Sequence, residues 1–180
     1  DHGCAPFCTD LKCISTNFIV QFNWFVNDLL ISSTGSIFHH CYDQTGTYKI
    51  DLSVTDNNGC KNIKKPIQIT VHPKPQADFT FRGKLTEEDP EVYFTDQSYS
   101  NISNWFWYFG DGGEADQKNP EHRFKKAGMF NTFLVVTNDF GCKDTTQKFV
   151  HLKETSAFYI PNSFSPNGDG INDLFYAKSS

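Results

Sequence analysis

Side chains able to do chemistry gather in two places. Six cysteines stand at positions 4, 8, 13, 41, 60 and 142, and His39 and His40 directly precede Cys41. Thiolates and imidazoles are zinc ligands, and a thiol beside an imidazole is the nucleophile and base of a cysteine hydrolase. The spacing argues against both. Structural zinc sites use tight Cys-x-x-Cys knuckles, which Cys4, Cys8 and Cys13 do not form, and strand neighbours such as His39 and His40 face opposite sides. Nothing around Cys8 or Cys13 signals a depressed thiol pKa or an oxyanion hole. The second place is Ser165-Pro-Asn167-Gly-Asp169-Gly170 with Asp173. Oxygen-bearing side chains at alternate positions are what a calcium loop presents, so Asn167, Asp169 and Asp173 are candidate ligands. However, Ser165 stands where an aspartate is usual and Tyr176 where a bidentate glutamate closes the loop, which favours a turn built for conformation. No nucleophile elbow, phosphate-binding glycine loop or zinc-protease helix occurs, so no enzyme active site is expected. No cofactor is required, and calcium is the ion to consider.

These residues need a scaffold, and the composition points to strands. Phe 18, Tyr 7 and Trp 3 against a single Met favour sheet over helix, and no window shows a helical apolar period. The net charge of −5, with isolated lysine pairs at 64–65 and 125–126, gives no basic stripe for nucleic acid. Those lysines read as solvated strand edges. No apolar run approaches the ~20 residues of a membrane span. Asp1 opens no signal peptide, so any leader is expected upstream or already removed.

The chain also repeats. His40-Cys-Tyr-Asp-Gln-Thr-Gly46-Thr-Tyr48 aligns with His122-Arg-Phe-Lys-Lys-Ala-Gly128-Met-Phe130, and Asn58-Gly59-Cys60-Lys61 with Phe140-Gly141-Cys142-Lys143, both at an offset of 82. Trp24 to Asp28 matches Trp107 to Asp111 at an offset of 83. Two copies of one domain explain this. In the second copy Val92 and Phe94 alternate with polar neighbours, Trp105, Trp107 and Phe109 share a face, and turns fall at Gly110 to Gly113, Ala127-Gly128 and Asn138 to Gly141. Short strands at such intervals predict an all-β chain of tandem β-sandwiches. His72-Pro-Lys-Pro75 marks the joint, since neither proline donates to a ladder. The expected domains are residues 1–73, 74–155 and 156–180.

Trp107-Tyr-Phe-Gly-Asp-Gly112, Asn119-Pro-Glu-His-Arg-Phe124, Gly128-Met-Phe130 and Gly141-Cys-Lys-Asp-Thr145 resemble a PKD domain, an immunoglobulin-like sandwich of cell-surface proteins. The first copy is a divergent version, in which Trp24-Phe-Val-Asn-Asp28 replaces the glycine-aspartate turn. The last stretch resembles the opening of the type B, gliding-motility-associated C-terminal sorting domain of the Bacteroidota type IX secretion system. The signature residues are Ile160, Pro161, Asn162, Phe164, Pro166, Asn167, Gly168, Asp169, Gly170, Asn172, Asp173 and Phe175. Residues 156–180 are too few to bury a core alone, so this part reads as the start of a longer domain.

The resemblances imply export into oxidising surroundings and therefore disulfides. In an immunoglobulin-like topology the first strand runs parallel to the last, which would place Cys4 near Cys60. With Thr9, Leu11 and Tyr42 inward, Cys8 and Cys41 face outward on adjacent strands and would pair. Cys13 and Cys142 are left as buried free thiols. The family also implies a calcium site at Asp111, with Asp96 or Asp139. Phe106 and Tyr108 would face outward, as a platform for sugar rings or a neighbouring domain.

The implied function is a non-catalytic stalk or adhesin, displayed on the outer cell surface and involved in adhesion or gliding. Its partners would be the type IX translocon, the surface-attachment machinery and a polysaccharide or other surface ligand. The alternatives are an accessory binding region of a secreted hydrolase and cargo captured by the secretion machinery.

Overall fold

The computed structural model describes residues 2–15, 18–33, 35–63 and 65–155, with the backbone alone of 158–159 and 178–179. All regular structure in the described residues is strand, as the aromatic and β-branched composition requires. The first repeat supplies β1 (His2–Cys4), β2 (Phe7–Lys12), β3 (Ile19–Val26), β4 (Leu29–Ser32), β5 (Ile37–Tyr42), β6 (Gly46–Asp56), β7 (Lys61–Ile63) and β8 (Ile67–His72). The second supplies β9 (Phe79–Arg82), β10 (Glu91–Asp96), β11 (Ile102–Tyr108), β12 (Glu114–Ala115), β13 (Glu121–Arg123), β14 (Gly128–Asn138) and β15 (Lys143–Leu152). A last antiparallel pair joins β16 (Phe158–Tyr159) to β17 (Lys178–Ser179). Two tandem immunoglobulin-like sandwiches result.

Two compact units emerge from the contacts. The first comprises Asp1–Asp78, Gln97–Trp105 and Val135–Thr146. Its larger sheet runs β1-β8-β6-β3-β4, with β7 on β6, and β2 pairs with β5 in a second sheet. Period-2 alternation puts Thr9 and Leu11 of β2 inward while Cys8, Asp10 and Lys12 face water. Trp24, Val26, Phe38, Tyr42, Ile50, Leu52, Ile69 and Val71 form the core between these sheets. The Trp24 and Phe38 rings stack at 5.2 Å. Full burial of such side chains stabilises the fold by about 1.5–3 kcal/mol each. The β3–β4 hairpin turns on Asn27 and Asp28, both at positive φ (49° and 65°), the two-residue turn whose twist matches its strands.

The proline joint is held within this first unit. The Asn138 amide donates to the Pro73 carbonyl at 2.8 Å, Lys74 pairs with Asp144, and Asp144 accepts the Ala77 N–H. The His72 ring stacks on Phe140 at 4.2 Å.

The second unit comprises Phe79–Asp96, Phe106–Leu134 and Gln147–Ser180. The second repeat forms a sheet β13-β10-β9 and a sheet β12-β11-β14-β15. Phe79, Val92, Phe94, Trp107, Phe109, Phe124 and Leu134 are buried, so the alternation expected of β10 and of residues 105–109 places Val92, Phe94, Trp107 and Phe109 in the core, while Trp105 is half-buried. Phe79 meets Trp107 edge-on at 5.2 Å.

The repeat persists in side-chain detail. His40 meets Tyr42 edge-on at 4.7 Å, as His122 meets Phe124 at 4.7 Å. The Asp56 carboxylate accepts the Asn58 and Cys60 N–H groups, and at equivalent positions the Asn138 amide oxygen accepts those of Phe140 and Cys142. No helix in the described residues is long and apolar enough to cross a membrane.

Candidate functional site

The sharpest turn of the second repeat follows β11. Its chain runs Phe109-Gly110-Asp111-Gly112-Gly113, and each residue type has a local reason. Gly110 sits at φ 88°, and a Cβ there would lie 2.6 Å from the Asn131 carbonyl oxygen. Only glycine fits such an approach without strain. Asp111 accepts the Gly113 N–H at 2.9 Å through Oδ1 and shares a 2.9 Å hydrogen bond with His122 Nε2 through Oδ2. His122, on β13, lies flat on Phe109 with ring centroids 4.0 Å apart. Burial opposes ionisation of Asp111, but the bonds from His122 and the Gly113 N–H outweigh it and hold its pKa below the usual carboxylate value. Asp111 thus closes the turn. The turn borders a groove of about 690 Å³ lined in part by Tyr108, Lys125, Lys126 and Met129.

Phe106 and Tyr108 leave the same strand on its outer side, 45% and 38% exposed. Tyr108 leans on Phe133 of β14 at 6.3 Å, and Met129 and Phe149 are exposed. The expected outward pair is therefore part of a broader aromatic sheet face.

A second constellation lies on the outer side of β2 and β5. Their antiparallel register sets Cys8 opposite Cys41 and Asp10 opposite His39. Cys8 and Cys41 are bridged, and His39 Nε2 lies 3.7 Å from Cys41 Sγ. The other imidazole nitrogen, Nδ1, meets Asp10 Oδ1 at 2.6 Å. Among the described residues, Cys8, His39 and Cys41 are the group of three whose ligand atoms converge closely enough to share an ion, all within 4.8 Å. Asp10 was not a candidate from sequence. The signal was present in the alternation, because Cys8 with Asp10 and His39 with Cys41 are each two apart on a strand and so share a face.

The other cysteine expectation is corrected. Cys4 is joined to Cys142, not to Cys60. β1 does run parallel to β8, but in register with its end, Cys4 opposite His72. Cys60 follows the far end of β6, whose first residue, Gly46, pairs with Val71. Cys4 and Cys60 therefore lie at opposite ends of the sheet. Cys60 is exposed with a free thiol, and Cys142, expected as a buried free thiol, is buried but bridged. Cys13 is free and packs partly buried against the core. The sorting signature from Ile160 to Phe175, with the calcium candidates Asn167, Asp169 and Asp173, lies outside the described residues.

Two immunoglobulin-like sandwiches, one carrying an aspartate-closed glycine turn after a strand with outward aromatics, define a class of all-β modules. The PKD domain profile matches residues 6–71 and 72–152, and the chain belongs to that family. It is 25% identical over 150 residues to the collagenase ColA of Clostridium perfringens, covering 81% of this chain and 13% of that protein. It is 35% identical over 69 residues to the pre-pro-metalloprotease PrtV of Vibrio cholerae, covering 35% of this chain and 8% of that protein. Among solved structures, the PKD1 domain of Vibrio cholerae PrtV matches 44% of the chain and 98% of its own at 28% identity and a TM-score of 0.41. The PKD1 domain of Vibrio anguillarum Epp matches 46% of the chain and 96% of its own at 22% identity and a TM-score of 0.42. The chain spans only a small part of the length of these curated relatives.

Proposed function

We propose that the chain is a non-catalytic part of an exported surface protein, in which two PKD sandwiches act as stalk or adhesive surface and the final segment is a type IX sorting address. The observation that carries this reading is the run from Ile160 to Phe175 placed directly after two PKD modules. The partners are then the type IX translocon and the attachment machinery, and the work done is adhesion or gliding at the outer cell surface. Deleting residues 156–180 together with whatever sorting domain follows tests it in the native cell. Both sandwiches should fold with their two disulfides intact while surface display is lost; undiminished display would sink the proposal.

A second reading, an accessory binding region of a secreted hydrolase, is favoured by the likeness to a collagenase and a metalloprotease and by the aromatic face. Retention on insoluble polysaccharide that disappears in the F106A/Y108A double variant, with unchanged thermal unfolding, would support it. Absence of retention in the wild type would leave the stalk reading alone.

A further inference from the structure

We infer that Cys8, His39 and Cys41 form a zinc site when the Cys8–Cys41 bridge is open, with Asp10 as the residue that orients His39. The bridge and the site are alternative states of one surface.

Four residues make the corners of a rectangle on β2 and β5, Cys8 opposite Cys41 and Asp10 opposite His39. The strand pairing that creates it does not rest on the disulfide alone, since five residue pairs besides Cys8 and Cys41 join the two strands. A tetrahedral zinc with Zn–S near 2.3 Å and Zn–N near 2.05 Å has S···N edges of about 3.6 Å. The distance from Cys41 Sγ to His39 Nε2 is already 3.7 Å. Opening the bridge leaves the sulfurs to separate to about 3.8 Å, which side-chain rotation supplies. His39 is also in the orientation that zinc ligation uses. Its Nε2 faces the sulfurs while Nδ1 is held by the Asp10 carboxylate at 2.6 Å, the outer-sphere contact that fixes the tautomer of a metal-bound imidazole. Two thiolates and one imidazole suit a borderline-soft ion, with a fourth position left to water. The surface is open to solvent, so both reductant and metal have access.

The chemistry balances. Two molecules of a thiol reductant transfer two electrons and two protons to the Cys8–Cys41 bond, giving two cysteine thiols and one reductant disulfide. Zinc then displaces both thiol protons. A small-molecule disulfide reverses the exchange, taking up two electrons and two protons to become two thiols, which re-forms the Cys8–Cys41 bond and releases the ion, so the site is redox-gated.

The test uses the whole chain carrying C13S and C60S, so that the free thiols elsewhere are gone. A mild thiol reductant is applied until mass spectrometry shows the exposed Cys8–Cys41 bridge open and the bridge to buried Cys142 intact. Cobalt(II) is then titrated as a spectroscopic stand-in for zinc. We expect one equivalent to bind with sulfur-to-cobalt charge-transfer absorption, zinc to displace it, and the oxidised chain to show neither. D10N should weaken binding on the order of 10–100-fold with an unchanged circular dichroism spectrum, and H39A should weaken it at least as much. If the reductant opens both bridges, the same titration on the chain also carrying C4S and C142S gives the reading. No charge-transfer band, equal affinity in H39A, or unfolding of the reduced chain would each overturn the proposal.

Discussion

Cys4 of β1 and Cys142 are covalently joined across 138 positions of sequence, although they belong to different repeats of the chain. Cys142 occupies the position that Cys60 holds in the first repeat, the residue whose N–H is bound by an Asx side chain four places earlier. One station of the repeat thus carries two fates, an exposed thiol at Cys60 and a buried bridge at Cys142. The difference arises from what lies beside each turn. Asn138 spends its side-chain amide nitrogen on Pro73, and Phe140 stacks on His72, the residue in register with Cys4.

Removing this bridge should be costly. A loop of this length closes with a chain-entropy term near 5 kcal/mol, and measured losses of native bridges are about 2–5 kcal/mol. C4S and C142S should each lower the denaturant midpoint accordingly, and C4S/C142S together should cost little more than either alone. C60S should change nothing beyond about 0.5 kcal/mol. An unfolding curve for C4S that overlays the wild type would show that the bridge is not formed in solution.

Gly110 and Gly112 provide a contrast within one turn. Both lie at positive φ, 88° and 92°, but a Cβ at Gly110 would strike the Asn131 backbone while nothing lies within 4 Å of one at Gly112. G112A should therefore cost about 1–2 kcal/mol from backbone strain alone, and G110A clearly more, because β14 must also move. Equal midpoints for the two variants in urea would contradict this account of the turn.

Legibility in the sequence followed the range of the interaction. Alternation is local, so the inward Trp107, Phe109, Val92 and Phe94 and the outward Phe106 and Tyr108 could be read directly. The tandem sandwiches followed from the repeat at an offset of 82. What failed was long-range register. Knowing that β1 runs parallel to β8 did not say which end of β8 it meets; it meets the His72 end, the length of the sheet away from Cys60, and there Cys4 is bridged to Cys142. The partnership of Asp10 with His39 also depends on strand pairing, and so did the closing of the Asp111 turn by His122, which had been visible only as part of a motif.

The Asp111–His122 contact predicts how the second sandwich responds to acid. Asp111 is held below its ordinary pKa in the fold, because the bonds from His122 and the Gly113 N–H outweigh the opposing effect of burial. A carboxyl depressed by folding contributes stability above its unfolded pKa of about 4 and loses it as pH falls through the lower folded value. Asp144 is depressed in the same direction, with burial again outweighed, here by the Ala77 N–H and by Lys74. Stability from these groups should be fully present at pH 5–7 and decline below about pH 4. D111N keeps the size of the side chain but removes its charge. It should lower stability at pH 7 by about 1–3 kcal/mol, the usual worth of a hydrogen bond to a charged group, and flatten the loss below pH 4. Denaturant unfolding at pH 7 and pH 3 on both proteins measures it, and an acid slope that is the same in D111N as in the wild type would place the source of acid sensitivity elsewhere.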